Sequence, residues 1–397
     1  MSAIYPVEPW SVTETAFDVA NNYRGETTFA LSNGYFGTRG TFEEGYDFAE
    51  DTGLEGNFIG GFYENGKVRY GEWNFGFPTD SQTMLNLPNC KLIRLWAEDE
   101  RFDMTKGRIE EYRRSLELDK GLLTRTVVWR SPGGRRLRLE TERLVSLTEK
   151  NLMAIRWRVT PLNFSGRLTV ESSIDGDVEN HTRTTNPLVD YGPFGRCLEP
   201  DIIAADDGGQ YLEAPAKNTR MTMACGCRHV LCGSAGAEHS ADKYSCCTVF
   251  RFSAGQGETV GVDKLIAYAS SREMPRARLR GFVTDALAGA DYDALRSAQI
   301  AKMRDFWENG GVNFGGSDEL AQGLRFNLFH IMQAAARDGR TGMCAKGLTG
   351  EGYEGHYFWD TEMYALPVLT LTAPETARKL LEYRFHTLGQ ARERARV

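Results

Sequence analysis

The sequence predicts a mixed fold, a large N-terminal antiparallel β-sandwich followed by helices. Three observations lead there. Between residues 122 and 174 several short runs rich in β-branched and aromatic residues are separated by turn signals. No helical period interrupts them, so consecutive strands must pair with one another and close over a shared core. After about Ser271 the apolar spacing changes to that of amphipathic helices.

Taken in order, Ser131-Pro132-Gly133-Gly134 reads as a turn between Thr126-Val127-Val128-Trp129 and Leu137-Arg138-Leu139. Ile155, Trp157 and Val159 alternate with Arg156, Arg158 and Thr160, the pattern of a half-buried strand. Leu168, Val170 and Ile174 continue the alternation after a turn at residues 163–166. Leu279, Val283, Ala286 and Leu287 share one helical face, and Asp291 is placed to cap a second helix carrying Leu295, Ala298, Met303 and Phe306. These two helices read as a linker. A third begins near Ser317, with Asp318 and Glu319 complementing the helix dipole, and runs through Leu320, Leu324, Leu328 and Ile331 to about Arg337. A final helix opens on Pro374 and carries Ala377, Leu381, Phe385, Leu388 and Ala395 on one stripe. It shows no stop signal, and so few helices cannot enclose a core, so a truncated helical domain is expected. The expected division is a β-domain at 1–270, a linker at 271–315 and an incomplete helical domain at 316–397.

The 397 residues are 41% hydrophobic, which suits globular domains rather than disorder. A formal charge of −7 argues against a nucleic-acid surface. The start, Met1-Ser2-Ala3-Ile4-Tyr5-Pro6, has no basic and apolar leader pattern, and the apolar stretch at residues 363–373 is short and broken by Pro367. No membrane segment is expected, and the eight cysteines suit a reducing, cytoplasmic compartment. Cys225, Cys227, Cys232, Cys246 and Cys247, with His229 and His239, could in number supply a metal site. Their spacing departs from Cys-x2-Cys pairs, and adjacent Cys246 and Cys247 would face opposite sides of a strand, so no metal is expected. His181, His330 and His386 read as structural or surface residues. The turn at Asn33-Gly34-Tyr35-Phe36-Gly37 reads as packing for the β-domain.

The chemistry concentrates in Lys346-Gly347-Leu348-Thr349-Gly350-Glu351-Gly352-Tyr353-Glu354-Gly355-His356-Tyr357-Phe358-Trp359-Asp360-Thr361-Glu362. Glycines let a loop approach a ligand closely. Aromatic rings can cover the apolar face of a sugar while carboxylates accept hydrogen bonds from its hydroxyls. An alternative stands beside this: Asp360 as cap of the next helix, with Phe358 and Trp359 as core residues.

The stretch from Gly350 to Glu362 closely resembles the signature of glycoside hydrolase family 65, the maltose, kojibiose and trehalose phosphorylases. So do Pro374-Glu375 and Leu380-Leu381-Glu382-Tyr383-Arg384. The N-terminal half matches at Glu26-Thr27-Thr28-Phe29-Ala30-Leu31-Ser32-Asn33-Gly34-Tyr35-Phe36-Gly37-Thr38-Arg39-Gly40 and Phe42-Glu43-Glu44-Gly45, then at Gln82-Thr83-Met84-Leu85-Asn86-Leu87-Pro88-Asn89 and Leu123-Thr124-Arg125-Thr126. The resemblance implies an N-terminal β-sandwich, a helical linker and the beginning of an (α/α)6 barrel. It implies that Trp359 and Asp360 hold the non-reducing glucose, with His356 and Glu354 close by.

It also implies inverting phosphorolysis of an α-linked glucose disaccharide, of maltose or kojibiose type, to β-glucose 1-phosphate and a free sugar. Inorganic phosphate would be co-substrate, with no other cofactor, and the arrangement is compatible with a homodimer of the full-length protein. No residue here matches the family's general-acid Glu, which is expected beyond Val397, so this chain alone is expected to be inactive. Two other readings are carried: a related α-glucoside hydrolase, and a non-catalytic carbohydrate-binding fragment.

Overall fold

Alternation between apolar and polar residues builds two large sheets, seen in a computed structural model that describes residues 4–46, 52–68, 71–72, 74–180, 193–312 and 314–396. Among the described residues the larger sheet has nine strands. Their spatial order is Ser11–Glu14, Arg108–Glu117, Leu122–Arg130, Arg136–Val145, Leu152–Pro161, Val260–Ser270, Thr222–Cys232, Gly209–Pro215 and Ile202–Asp206. The second has five, in the order Ala235–Ala241, Ser245–Ala254, Gly166–Asp175, Ile93–Ala97 and Glu100–Arg101.

The hairpin predicted at residues 131–134 is present. Trp129 pairs with Leu137 and Arg130 with Arg136, and the turn closes through Ser131 N–H to Arg135 O at 2.8 Å. Ile155, Trp157 and Val159 are buried, whereas Arg156 and Arg158 lie on the other face and both grip Asp263, at 2.8 and 2.6 Å. The turn at 163–166 does not return the chain to the same sheet. Gly166–Asp175 pairs instead with Ser245–Ala254 and Ile93–Ala97 in the second sheet. Leu168, Val170 and Ile174 then meet Ile155, Trp157 and Val159 in one hydrophobic core, where each fully buried aliphatic contributes about 1.5–3 kcal/mol.

Seven α-helices are described: α1 (Asn22–Thr28), α2 (Leu279–Ala288), α3 (Tyr292–Gly310), α4 (Asp318–Ala334), α5 (Leu366–Thr372), α6 (Pro374–His386) and α7 (Leu388–Arg394). Leu279, Val283 and Leu287 of α2 pack with Ala224, Leu265, Ala267 and Ala269 on the outer face of the larger sheet. Asp291 caps α3 by accepting from Ala294 N–H at 2.8 Å, and Ser317 caps α4 by accepting from Leu320 N–H at 3.3 Å. α4 ends at Ala334, a turn before the predicted Arg337; of the predicted stripe Leu328 is buried, beside Ala321, Phe329 and Met332, whereas Leu320 is 59% exposed.

The final helix also departs from expectation. It stops at His386 and restarts at Leu388, and Thr387 Oγ1 donates back to Tyr383 O at 3.0 Å, a bond of the kind that bends helices. Its buried residues are Ala377 and Leu380, which pack with Leu369 of α5; Leu381 and Phe385 are 52% and 74% exposed. Ala377 of the predicted stripe is on the covered face, but from there on the buried position is Leu380 rather than Leu381.

Two polar features bind the layers. Glu43 and Glu44 are buried with Arg125 and Arg143: Arg125 reaches Glu43 at 3.0 Å and Glu44 at 2.6 Å, and Arg143 also pairs with Glu43. The turn at Asn33 is a joint. Asn33 Oδ1 accepts from Tyr35 and Phe36 N–H, while its amide donates to Ser146 O at 2.6 Å and Lys150 O at 2.9 Å. Gly34, at φ +82°, lies so close to Ala335 O that a Cβ would collide with it, and Arg337 donates to Asn33 O. The turn therefore packs the β-layer, as predicted, and also fastens it to the chain after α4. Gly34→Ala is expected to cost more than about 1 kcal/mol and to loosen residues 335–348, read by urea melts and amide hydrogen exchange.

Three of the five clustered cysteines are side chains of the core, and Cys232 and Cys247 are half-buried. Cys225, Cys227 and Cys246 are buried, burial pushes the Cys246 thiol up to about 12, and Cys247 lies on the opposite face of its strand. No helix among the described residues is long and apolar enough to cross a membrane.

Candidate functional site

The glycine-rich loop at 346–362 is held at one end and open at the other. Its anchored half begins with Leu348, which is buried against Gly37; a Cβ on Gly37 would collide with Leu348 O. Arg39 Nη1 donates to Thr349 O at 2.9 Å, so the Phe36-Gly37-Thr38-Arg39 segment seats the loop's start. Three consecutive residues then take left-handed backbone angles: Tyr353 (φ 57°), Glu354 (φ 50°) and Gly355 (φ 72°). Such angles cost non-glycine residues about 1–2 kcal/mol each, and they persist only where surroundings enforce them.

The enforcement comes from a two-stranded hairpin, Tyr63–Lys67 with Asp80–Met84. Tyr63 OH donates to Gly355 O at 2.7 Å, His356 Nε2 donates to Gln82 O at 2.7 Å, and a Cβ on Gly355 would stand only 2.6 Å from Met84 Cβ. His356 and Glu354 face each other at 4.0 Å.

The open half carries Tyr357, Phe358, Trp359, Asp360 and Glu362. Phe358 packs edge-on to Tyr353 with ring centroids 5.4 Å apart, and Tyr357 does the same to Tyr383 at 5.3 Å. Trp359 is 64% exposed and Asp360 is exposed beside it. A π-helical turn, Thr361–Ala365, follows immediately and runs into α5; π-turns of this kind recur at functional sites. The Asp360 carboxylate makes no capping hydrogen bond to this turn, and neither Trp359 nor Phe358 is in the core. The capping and core alternative is thereby corrected: these side chains are presented outward.

Of the four predicted site residues, His356 and Glu354 thus lie on the anchored half and Trp359 and Asp360 on the open half. A carboxylate beside an exposed indole can accept hydroxyl hydrogen bonds while the ring covers a sugar's apolar face. Tyr63 and the Gln82 carbonyl escaped the sequence reading. Of the remaining histidines, His330 is kept neutral by burial, which pushes its pKa down to about 4, and it contacts Gln333 at 2.9 Å; His386 Nδ1 donates to Gly339 O at 3.0 Å; His181 lies outside the described residues.

Residues 12–306 match the model of the glycosyl hydrolase family 65 N-terminal domain, and residues 325–397 that of the family's central catalytic domain. The chain belongs to glycosyl hydrolase family 65. This family 65 chain is 36% identical over 99% of its length to an alpha,alpha-trehalose phosphorylase of Thermoanaerobacter brockii, of which it covers 51%. It is 31% identical over 98% of its length to a kojibiose phosphorylase of the same organism, covering 49% of it. A solved structure described as a putative kojibiose phosphorylase from human microbiome superposes with a TM-score of 0.86 at 22% identity, over 98% of this chain and 50% of that one, a likeness of fold. The family 65 chain spans about half the length of the curated relatives it matches.

Proposed function

We propose that this chain forms the donor-sugar side of an inverting disaccharide phosphorylase. The carrying observation is the outward-facing Trp359–Asp360 pair, held by a strained and strapped loop in a chain of this family. Trp359 covers one face of the non-reducing glucose and Asp360 accepts hydrogen bonds from its hydroxyls. Glu354 and His356 complete the edge of that subsite. The substrate is an α-linked glucose disaccharide, a choice supported by relatives named for trehalose and kojibiose.

Inversion at an α-linked carbon needs a nucleophile on the face opposite the leaving sugar, and a proton for the departing oxygen. Phosphate is already anionic and requires no general base. It attacks the anomeric carbon as the glycosidic bond breaks, the free sugar leaves with the acid's proton, and β-glucose 1-phosphate remains. We assign neither the acid nor the phosphate site to this chain: Glu351 is buried, Glu354 faces His356, and Glu362 is paired with Arg384. In this reading α4 to α7 open an (α/α)6 barrel behind a β-domain at 1–270 and a linker at 271–315, and the reaction belongs to a cytoplasm that supplies phosphate.

The test is to assay the whole protein on trehalose, kojibiose, nigerose and maltose with and without inorganic phosphate. Cleavage of one of them that depends on phosphate is expected. Equal cleavage in its absence would move the reading to an α-glucoside hydrolase.

A further inference from the structure

We infer that Arg384 is a positioning residue, setting the orientation of Trp359 and Asp360 toward the donor sugar; this rests on the donor-site reading above. Arg384 grips Glu362 with two parallel bonds, Nε at 2.7 Å and Nη2 at 3.0 Å, and Nη2 also reaches Phe358 O at 3.4 Å. The preceding residue of α6, Tyr383, packs against Tyr357. Phe358, Trp359 and Asp360 therefore hang between two points, Tyr357 before them and Glu362 after them, both held by adjacent residues of one helix. That helix is itself fixed, because Ala377 and Leu380 are buried against Leu369.

Magnitude separates a positioning role from a stabilising one. The Arg384 and Glu362 side chains are 37% and 33% exposed, and ion pairs so open to water add at most about 1 kcal/mol to stability. Geometry is another matter. The residues they brace form a π-turn, a rare backbone form that depends on its surroundings, and a bidentate guanidinium–carboxylate pair defines a direction that a point charge does not. Loss of the fork should free the turn without unfolding the protein.

The experiment compares Arg384→Met and Arg384→Lys with wild type in the whole protein. It follows amide hydrogen exchange across residues 358–365 without sugar, kcat and KM for the disaccharide, and Tm. Arg384→Met should speed exchange in this segment and lower kcat/KM by about tenfold or more while Tm moves little, and Arg384→Lys should recover only part of the loss. Unchanged exchange and kinetics in Arg384→Met would overturn the inference, as would a kinetic loss fully restored by Arg384→Lys. If Trp359→Ala and Asp360→Asn both keep wild-type kcat/KM, the donor-site reading itself fails and this role falls with it; accelerated exchange would then report a structural brace alone.

Discussion

Asp360→Asn is expected to lower kcat/KM for the disaccharide by at least about tenfold, and Trp359→Ala by at least as much, with melting curves close to wild type. Hydrogen bonds to a charged acceptor contribute about 1.5–3 kcal/mol each, and tenfold corresponds to 1.4 kcal/mol. The asparagine keeps the shape and loses the charge. Among the described residues Asp360 makes no capping hydrogen bond and Trp359 is 64% exposed, so neither change removes a packing or capping contact of this chain. Steady-state kinetics beside calorimetry separates the possibilities: lost stability with normal kinetics would return Asp360 to a structural role.

The largest stability effect is expected at Glu43. Burial by itself would raise its carboxyl, but Arg143 and Arg125 outweigh burial and hold it down at about 2. Removing one partner from a buried ion cluster costs about 3–5 kcal/mol, since the remaining charges are left uncompensated. Glu43→Gln should lose that much at pH 7, measured by urea unfolding. The sign with pH follows from a depressed folded pKa. The stabilisation, about 3 kcal/mol for a shift of this size, is fully present above the unfolded carboxylate's pKa near 4.5 and is lost as pH falls through about 2. The gap between wild type and Glu43→Gln should therefore narrow between pH 5 and pH 2. A constant gap over that range would show that the carboxylate's charge is not what matters.

Local chemistry made part of this architecture readable from sequence. Turn residues at 131–134 and strict alternation at Ile155, Trp157 and Val159 specify a hairpin and a buried face without help from distant residues. The crossing of Gly166–Asp175 into the second sheet was not readable, because an alternating strand has the same pattern in either sheet. Arg125 lies between two threonines, and its partners Glu43 and Glu44 are more than eighty residues away in sequence, so no local pattern marks the cluster. The helix stripe through Leu381 and Phe385 followed the hydrophobic spacing faithfully, yet burial is decided by where α5 lies, beside Ala377 and Leu380.

At the candidate site, the expectation for Trp359 and Asp360 came from family resemblance and from the density of glycines, rings and carboxylates around them. The straps were not. His356 bonds to the main-chain carbonyl of Gln82, and Tyr63 to that of Gly355, so the receiving residues carry no side-chain signature of their role. What the recognised N-terminal segments do became visible only in space: Gly37, Arg39 and Gln82 converge on the loop from the β-domain side.

The central claim is that this chain presents a donor glucose to inverting phosphorolysis. Proton NMR of the sugar phosphate released by the whole protein, recorded in the first minutes of reaction with an α-linked glucose disaccharide and phosphate, tests it most directly. The β anomer of glucose 1-phosphate is expected, because a single displacement inverts the α linkage. Release of the α anomer, or of free glucose with no sugar phosphate, would contradict it.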